Sequence, residues 1–594
     1  MAEKIISPGV FTNEIDQTFL PSAVADIGAA LIGPTLKGPA GIPTVVTSFS
    51  DFQAKFGDVF KNGPNGSSVQ FLTSHAAEEY LKNSNTLTVV RIMDGTFSKA
   101  TAVVTASISS TAGMAVSQSF TLEALADGTI MNNKQASTST NSILVSGSKH
   151  NIRYEVSNVN TKKGTFTLLI RAGNDNEKRK QILETYNNVT LDPNSTNYIS
   201  KVVGDSIQQV RTDGTTKYLQ LTGSFANKSR FVRVSAVTNT TDYLDENGNV
   251  RIAAQSASLP AAGSGSALGG FGGATDGCVG FDALGNHNGA VGRGSSSYVS
   301  TAGHIHGARK TANFYEDITL SNSQGFNFTS GVTNSGSNAY TEALDLLSNQ
   351  DEYDINLILA PGIIANTHTT IASKIIDVCE DRGDCFAVLD PVLYASTLSQ
   401  ATTQAETRDS NFAAMYWPWI KVPDSQVAGT QRWVPPSVVM GGIYAFNDRV
   451  AHPWFAPAGL NRGGITTAIQ AERKLTQGNR DDLYDANVNP IATFPGQGVT
   501  VFGQKTLQKK ASALDRINVR RLLIRVKKFI ASSSRFLVFE QNTAATRRRF
   551  LGIVNPFLEQ IQSQSGLSAF RVIMDDTNNT PDTIDRNQLV GQLF

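Results

Sequence analysis

Three acidic residues cluster where an α/β protein would carry a catalytic or ligand-binding site. Asp390 follows a predicted strand, and Asp381 and Asp384 precede that strand. Open α/β sheets bind ligands at the carboxyl ends of their parallel strands. The sequence contains no Gly-x-Ser-x-Gly, His-Glu-x-x-His or Walker motif that could supply further groups. An enzyme is therefore only a minor alternative, because a catalytic site needs several groups in mutual geometry.

Cysteine and histidine residues offer little for a metal or covalent site. Three cysteines, Cys278, Cys379 and Cys385, are too few for a disulfide framework. Cys379 and Cys385 lie six residues apart without a second matching pair, so we expect reduced core thiols. Of the seven histidines only His304 and His306 lie close together, which without further ligands is not a metal site. We expect no catalytic residue, no metal ligand and no cofactor.

Two short motifs have structural explanations. The glycine-rich segment Ala262–Gly277 lacks the Gly-Lys-Ser/Thr ending of a P-loop, and we predict a flexible connector. Arg382-Gly383-Asp384 spells an adhesion tripeptide, but it lies between a predicted helix and a predicted strand. Glycine is typical of a helix end, so a turn is the favoured interpretation.

Basic residues concentrate near the end of the chain. From residue 500 onward there are 15 Lys and Arg against 7 Asp and Glu, whereas the whole chain has 51 against 50. This asymmetry indicates an electrostatic partner, which could be an acidic protein, nucleic acid or another copy of the chain. Few aromatic residues interleave with the basic ones, which favours a protein. The basic residues expected to face this partner are Arg520, Arg521, Arg525, Lys527, Lys528, Arg547, Arg548 and Arg549.

Hydrophobic periodicity predicts α/β structure at both ends of the chain. In the first part we predict strands Ile27–Ile32, Thr44–Thr47 and Thr86–Ile92, and helices Ser50–Phe56 and Ser67–Leu81. After Ala339 a helix leads to strand Ile355–Ala360, ended by Pro361-Gly362, and a second helix leads to strand Cys385–Leu389. This order predicts parallel pairing with a right-handed crossover. Two amphipathic helices, Val519–Leu537 and Arg547–Gln562, follow.

The middle of the chain is rich in Ser, Thr, Asn and Gly and has short alternating runs that are typical of strands. These runs are Thr101–Ser107, Ser142–Val145, Ile152–Val156, Thr165–Ile170, Tyr218–Leu221 and Phe231–Val237. We therefore predict an α+β multidomain protein, with an α/β core built from residues 21–95 and 338–594 and inserted β-rich domains at 96–200 and 201–337.

The N-terminal residues 1–20 are predicted to form an extended arm. Pro8-Gly9 opposes a helix, and apolar and polar residues alternate through Val10, Phe11, Thr12, Asn13, Glu14 and Ile15. A lone terminal strand needs a sheet elsewhere to pair with, in its own chain or in a neighbour. A disordered tail is the alternative. We see neither a signal peptide nor an apolar run of the ~20 residues that cross a bilayer, so we expect a cytoplasmic origin.

Several motifs together resemble the contractile tail sheath proteins of myophages. They are Ser-Pro-Gly-Val at Ser7–Val10, IGPTLKGPA at Ile32–Ala40, VTSFSDFQAKFG at Val46–Gly57, VVRI at Val89–Ile92, YWPW at Tyr416–Trp419, VPPS at Val434–Ser437, Asn447-Asp448, WFAPA at Trp454–Ala458, Asn489-Pro490, GVTVFGQKT at Gly498–Thr506, INVRR at Ile517–Arg521, VFEQN at Val538–Asn542, Phe557-Leu558 and Asn579-Thr580. Each motif alone is weak, and their order and spacing carry the resemblance.

The resemblance implies a virion protein that assembles as stacked hexameric rings around a tail tube and contracts to drive the tube through the host envelope for genome ejection. It implies other copies of the chain, the tube protein, and baseplate and tail terminator proteins as partners, with no direct nucleic acid contact and no membrane insertion. Assembly is expected in the host cytoplasm. Terminal arms are expected to add strands to neighbouring subunits, and Leu589–Phe594 looks like the start of a C-terminal strand. A sheath from a bacteriocin particle or a type VI secretion system remains an alternative, as does a tube or baseplate protein.

Overall fold

The computed structural model describes most of the chain. The described residues are 27–61, 68–93, 97–106, 118–134, 141–144, 146–214, 216–252, 258–261, 268–275, 318–320, 322–324, 326–328 and 335–594. Gly28–Arg525 forms one compact unit, and Val526–Phe594 belongs to a second. The predicted arm at Val10–Ile15, Cys278, His304 and His306 lie outside the described residues.

A mixed sheet forms the centre of the first unit. Its strands are β1 (Gly28–Gly33), β2 (Thr44–Val46), β5 (Leu87–Arg91), β17 (Ile355–Ile364), β18 (Phe386–Asp390), β19 (Ala413–Trp417), β23 (Val488–Phe494) and β24 (Gly498–Val501), and their order is β2-β5-β1-β17-β18-β19-β23-β24. The strands from β5 to β23 pair in parallel, and the two edge strands pair antiparallel. Because a parallel sheet is covered on both faces, its strands are rich in apolar residues, and every residue of β1 is buried.

Helices lie on this sheet, beside the inserted sheets and in the second unit. They are α1 (Phe49–Phe56), α2 (Leu72–Leu81), α3 (Ile199–Val203), α4 (Ser335–Leu347), α5 (Thr369–Arg382), α6 (Leu398–Glu406), α7 (Pro436–Val450), α8 (Gln477–Asp485), α9 (Ile517–Ser534), α10 (Ala544–Ser563) and α11 (Pro581–Asp585). Helix α7 packs closely on α2 and β17 at Gly441-Gly442. A Cβ atom added at Gly442 would lie 2.7 Å from the Glu79 carbonyl oxygen, so only glycine permits this approach.

Two predicted boundaries in the core are wrong. Strand β17 continues through Pro361-Gly362 to Ile364, because its register with β18 shifts between Leu359 and Ile364 and the resulting bulge accommodates a proline without an N–H. Helix α2 begins at Leu72 instead of Ser67, since Ser68–Val69 forms strand β4 and pairs with β3 (Phe60–Lys61). The predicted parallel pairing of β17 and β18 is confirmed.

The middle of the chain forms antiparallel sheets. One contains β6 (Lys99–Thr105), β7 (Gln118–Asp127) and β13 (Val232–Val237), and a four-stranded sheet contains β8 (Ile152–Asn160), β9 (Thr165–Ala172), β10 (Ile182–Thr190) and β14 (Leu268–Gly270). Strands β11 (Ile207–Asp213) and β12 (Thr216–Thr222) form a hairpin. Five of the six predicted strands overlap with these elements, whereas the described residues 142–144 of the sixth are not in a strand.

Smaller sheets of two or three strands complete the described fold. They are β15 (Asn322–Ser323) with β16 (Phe326–Asn327), β20 (Ile420–Pro423) with β21 (Gln431–Val434) and β22 (Gln470–Ala471), and β25 (Val572–Ile573) with β26 (Gln592–Leu593). Strand β26 falls within the segment Leu589–Phe594 that was predicted to be extended. It pairs with β25 of the same chain.

Buried polar contacts join the inserted sheets to the core. The Asp127 carboxylate at the end of β7 accepts hydrogen bonds from the Ala40 N–H at 2.9 Å and from Lys99 Nζ at 3.0 Å. Arg91, at the end of β5, donates to the Gly38 carbonyl at 2.6 Å and to the Asp127 carbonyl at 3.0 Å. Apolar side chains of both regions form one continuous core. The inserted sheets are thus packed against the central sheet.

Inside the four-stranded sheet, an ion cluster is fully buried. Arg171 Nε donates to Asp175 Oδ2 at 2.6 Å and its Nη2 donates to Asp175 Oδ1 at 3.0 Å, with both side chains inaccessible to solvent. Arg171 also pairs with Glu155 at 2.6 Å, and Arg153 lies 3.4 Å from Asp175. Bidentate geometry and several partners are what a buried arginine needs to offset the cost of its desolvation.

The mixed α/β class predicted from the sequence is confirmed. The exact domain limits at residues 95, 200 and 337 stay predictions. Within the described residues, none of the helices combines the length and the apolar character required to cross a bilayer.

Candidate functional site

The carboxyl edge of the parallel strands, where the sequence suggested a minor enzyme alternative, is closed by a helix. The Asp390 carboxylate accepts hydrogen bonds from the Ser437 N–H at 2.9 Å and the Ser437 hydroxyl at 2.6 Å. Ser437 lies in the first turn of α7, so the carboxylate satisfies orphan donors of a helix N-terminus. Burial raises the pKa of Asp390 from 3.8 to about 7, against the two hydrogen bonds. The position of Asp390 is explained by helix capping.

The other two acidic residues do not join Asp390. Asp381 is exposed on α5, and Asp384 forms an ion pair with Arg382 at 2.8 Å. Gly383 ends α5 in the left-handed conformation with φ of 67°, which confirms the turn predicted for Arg382-Gly383-Asp384. Among the described residues, no group of three or more His, Cys, Asp or Glu is arranged to hold a metal ion.

Cys379 and Cys385 are buried free thiols, as predicted. Their sulfur atoms lie 3.3 Å apart. Sequence spacing alone did not show this proximity, because it arises from the tight turn between α5 and β18.

The structure corrects the interpretation of two predicted partner-facing arginines. Arg520 and Arg521 are both buried in the first unit. Arg521 forms a bidentate ion pair with Asp448 of α7, with distances of 2.9 and 2.6 Å, and its guanidinium lies 4.8 Å from the Tyr444 ring centroid. Arg520 lies 3.7 Å from the Phe412 ring centroid. Ile517 and Ile524 of the same helix belong to the buried core, and these two long side chains lie inside it instead of facing a partner.

The other predicted basic residues differ in exposure. Lys527, Arg548 and Arg549 are exposed and Arg525 is half-buried, whereas Lys528 is buried. Arg547 is also buried and pairs with Asp576 at 2.7 Å within the second unit. A role in facing a partner therefore stays a prediction that fits Arg525, Lys527, Arg548 and Arg549 best.

An apolar turn of the second unit is a feature that the sequence interpretation missed. Phe539 is 100% exposed and Val538 is 67% exposed, just after α9. Leu593 and Phe594, beside the small β25–β26 sheet, are exposed as well. Neighbouring apolar side chains in solvent often mark an interaction surface. The available signal was the run Phe536–Phe539 between two amphipathic helices, which has no polar face of its own.

Two family models match adjoining parts of the chain. The phage tail sheath protein central domain matches residues 331–507, and the phage tail sheath C-terminal domain matches residues 509–593. The part of the chain from residue 331 to residue 593 is therefore similar to phage tail sheath proteins.

Curated relatives of the sheath family match part of the chain. The tail sheath protein of Vibrio phage KVP40 is 33% identical over 295 residues, which covers 45% of this chain and 44% of the relative. The tail sheath protein of Enterobacteria phage T4 is 30% identical over 273 residues, covering 43% of this chain and 41% of the relative. The chain therefore matches less than half the length of these relatives.

Solved sheath structures are distantly similar. A sheath tail protein from Listeria innocua, known from a crystal structure, is 11% identical with a TM-score of 0.49 and covers 94% of this chain and 90% of that one. The helical sheath of the anti-feeding prophage in its contracted state is 23% identical with a TM-score of 0.36, covering 43% of this chain and 69% of that one.

Proposed function

We propose that the protein is the structural subunit of a contractile phage tail sheath. Copies polymerise as stacked hexameric rings around a tail tube, and the lattice contracts to drive the tube through the host envelope for genome ejection. Baseplate and tail terminator proteins lie at the two ends of the lattice. The protein is a virion component that is assembled in the host cytoplasm, without a cofactor, a nucleic acid partner or membrane insertion.

The observation that carries this proposal is the match of two sheath domains, in family order, to residues 331–507 and 509–593. The curated relatives are all tail sheath proteins of phages, which favours a phage tail over a bacteriocin particle or a type VI secretion system.

The N-terminal arm supports assembly in this proposal. Its alternating residues Val10–Ile15 suit a strand that hydrogen-bonds to the sheet of a neighbouring copy. Backbone pairing through a terminal arm keeps two subunits joined while their bodies rotate, since the linker absorbs the change. A heterologous contact of this type generates rings and helical lattices instead of closed dimers.

The exposed apolar turn gives a second reason to expect assembly. Burial of Val538 and Phe539 against another chain releases water from apolar surface that a free monomer leaves exposed. Each fully buried side chain of this size contributes roughly 1.5–3 kcal/mol. The second unit is therefore a source of lattice contacts.

The exposed basic residues supply a contact of another kind. We assign Arg525, Lys527, Arg548 and Arg549 to an acidic surface on the tube or on a neighbouring copy. Solvated charge pairs hold a lattice in register with little affinity each, so many of them can separate together when the lattice contracts. Arg520 and Arg521 are not part of this surface, because their side chains are occupied inside the chain.

Contraction needs no nucleotide in this mechanism. The work comes from the difference in contact free energy between an extended lattice, formed at assembly, and a contracted one. Main-chain pairing through the arms persists in both states, while the polar sheath–tube contacts are made only in the first. The free energy that drives contraction is thus stored in the difference between the contacts of the extended lattice and those of the contracted one.

Electron microscopy of the full-length protein tests the proposal. We expect long hollow cylinders with ridges, especially when the tube protein is co-expressed. Deletion of Ala2–Asp16 should abolish the cylinders and leave folded monomers, because the linking strand is lost. Discrete particles from the full-length chain, in the presence of the tube protein, would contradict the sheath assignment.

A matched pair of point variants separates the arm from general effects of mutation. Thr12→Pro removes an N–H from the proposed strand, and Glu3→Pro makes the same change outside it. We expect Thr12→Pro to prevent polymerisation and Glu3→Pro to permit it. Equal assembly of both variants would reject the strand role of the arm.

A further inference from the structure

A groove opens at one edge of the central sheet. It lies between α8, strand β23 and the segments that follow α7 and β24, all of which belong to the first unit. We call it the α8 groove, and its lining includes Ala458, Gln477, Arg480, Tyr484, Phe502 and Gln504. It encloses about 720 Å³, which is within the range of pockets that bury a drug-sized ligand. The α8 groove therefore has room for two apolar side chains of a partner.

The α8 groove combines an exposed aromatic ring with a cation. Phe502 is 46% exposed, and its ring centroid lies 5.0 Å from that of Phe494. The Arg480 guanidinium lies over both rings, 5.6 Å from the Phe502 centroid and 5.3 Å from the Phe494 centroid. Among the described residues, Arg480 forms no ion pair with a carboxylate. This arrangement suits a partner that brings an apolar side chain and a carboxylate close together.

A buried acceptor of the α8 groove also lacks a partner. Gln504 Oε1 is shielded from solvent and accepts no hydrogen bond from the described residues. A buried acceptor that is left unsatisfied costs free energy, and this cost is recovered when a donor reaches it. A polypeptide segment that enters the groove brings backbone N–H groups, and one of them can satisfy this oxygen.

The apolar turn of the second unit carries matching groups. Phe539 is 100% exposed and Val538 is 67% exposed. Glu540 follows directly, is exposed, and forms no ion pair within the described part of the chain. The turn thus presents apolar side chains and a carboxylate at adjacent positions. This is the combination for which Phe502 and Arg480 provide a site.

We propose that the apolar turn of one copy of the chain inserts into the α8 groove of another copy, with Phe539 packed against Phe502 and Glu540 paired with Arg480. The inference rests on the proposed polymerisation of the chain and names the two surfaces that meet. A projecting turn and a groove at different places on one chain form a heterologous contact between copies. Such a contact repeats from copy to copy instead of closing a dimer, as a ring or a helical lattice requires.

The other charges near the contact are complementary as well. Asp481 and Asp485 line the α8 groove and are exposed. Arg535, shortly before the apolar turn, is also exposed. The turn therefore brings one charge of each sign to a groove that has charges of both signs. Charges at the rim of an interface orient the partners more than they add affinity.

Cross-linking between two copies tests the contact and leaves its residues intact. Gln541 follows the apolar turn, Gln477 lines the α8 groove, and both are exposed. Full-length Gln541→Cys and Gln477→Cys proteins are co-expressed with different tags, so each copy carries only one new thiol. We expect a short bismaleimide to join the two copies. Thr216→Cys, exposed on β12, replaces Gln477→Cys as the control and should give only the background of the native cysteines.

The cross-link is measured in cylinders and in the soluble protein, which separates its outcome from that of the sheath assignment. Cylinders without a product between positions 541 and 477 would overturn the inference and leave the sheath assignment in place. A product in a protein that forms no cylinders would support the contact and contradict the sheath assignment. A product within single chains of the Gln477→Cys/Gln541→Cys double variant, or none in either sample, would overturn the inference.

Substitution of the apolar turn measures how much the contact contributes. Phe539→Asp should raise the protein concentration needed for assembly by about tenfold or more, which corresponds to the lost burial of one large apolar side chain. Phe539 is fully exposed, so this change should leave folding unaffected. Leu221→Asp, at another exposed apolar position, is the matched control and should assemble like the wild type. Equal assembly of Phe539→Asp and the wild type would overturn the inference.

Charge reversal tests the pairing of Glu540 with Arg480. We expect Arg480→Glu and Glu540→Arg each to weaken assembly, and the double variant to restore most of it, because every copy then carries both exchanged charges. Lys474→Glu, at an exposed position that does not line the groove, is the control. A double variant that assembles no better than the weaker single variant contradicts the proposed pairing.

Discussion

The central sheet and the inserted four-stranded sheet are held together in different ways. Strand β1 is buried on both faces, and strands β5 and β18 of the same sheet are also fully buried. Strand β10 of the inserted sheet leaves most of its residues exposed, and the interior of that sheet contains the Arg171–Asp175 ion cluster. The comparison teaches that the central sheet is stabilised mainly by apolar area, whereas the inserted sheet combines an apolar core with a few buried charged groups that must all be paired.

The largest effect is expected from Arg171→Met. This change leaves the Asp175 carboxylate buried without its bidentate partner, which costs about 3–5 kcal/mol of unfolding free energy. Hydrogen exchange of peptides covering β8, β9 and β10 should rise strongly, while peptides from β17 and β18 stay protected. Arg179→Met is the matched control, because Arg179 is exposed in the same region. Unchanged protection of the inserted sheet would show that the ion cluster does not stabilise it.

A slightly smaller effect is expected from Leu31→Ala in β1. The side chain is fully buried, so its truncation should cost about 2–4 kcal/mol through lost transfer free energy and a cavity. Tryptophan fluorescence during urea unfolding measures the core, since Trp417 and Trp419 lie there. Leu221→Ala on β12 is the control, because Leu221 is 64% exposed and its truncation should change stability by less than about 0.5 kcal/mol. Equal shifts for both variants would remove the distinction between the two regions.

An ion pair of the core sharpens the comparison further. Arg521→Met removes the partner of Asp448, and because Asp448 keeps some contact with water the cost should be only about 1–3 kcal/mol. The same fluorescence measurement detects this loss. Arg548→Met, at an exposed position of the predicted basic set, should leave stability unchanged and weaken attachment to a tube. If Arg521→Met were neutral and Arg548→Met destabilising, the assignment of buried and exposed arginines would be reversed.

The smallest expected effect concerns the pH dependence of the core. The pKa of Asp390 is raised by burial to about 7, so the folded state binds this proton more tightly than the unfolded state does. The corresponding stability is therefore present below pH about 4 and is lost as the pH rises towards about 7. Asp390→Asn keeps both contacts to Ser437 without a charge, and should be more stable than the wild type at pH 8, where the wild-type carboxylate is ionised in the folded chain.

The difference in stability between the wild type and Asp390→Asn should shrink as the pH falls below about 4, because Asp390 then becomes protonated in the unfolded chain as well as in the folded one. Urea unfolding at a series of pH values measures the difference. A constant difference across this range contradicts the assignment of the titration to Asp390.

The sequence predicts the core strands well where burial leaves a simple pattern. Strands β1, β5 and β18 are short apolar runs with turn residues beside them, and parallel pairing follows from the helices between strands. Helix α7 was not predicted, because residues from Pro436 to Ala445 are nearly all buried and a helix buried on all sides shows no amphipathic period. Strand β17 was ended too early at Pro361, since a bulge is a feature of pairing that a single strand does not reveal.

The candidate site was harder to predict than the fold. Periodicity placed Arg520 and Arg521 on the correct helix, but the partner of Arg521 is Asp448, which is 73 residues away in the sequence. Whether a cation meets solvent or a distant carboxylate depends on tertiary packing, which local patterns do not contain. The contact between Cys379 and Cys385 was missed for the opposite reason. A local turn brings the two residues together, and their spacing of six residues in the sequence does not reveal that turn.

The topology of the central sheet has a consequence for how the insertion evolves. Strands β5 and β17 both lie parallel to β1, on either side of it, and α4 precedes β17. The chain from β5 through α4 to β17 is therefore one strand–helix–strand crossover, and the stretch before α4 occupies the place of a single loop at the carboxyl edge. Loops at that edge tolerate replacement without rearranging the strands. The insertion could accordingly be shortened, exchanged or used to display a foreign domain. The eight strands of the central sheet would keep their order in each case.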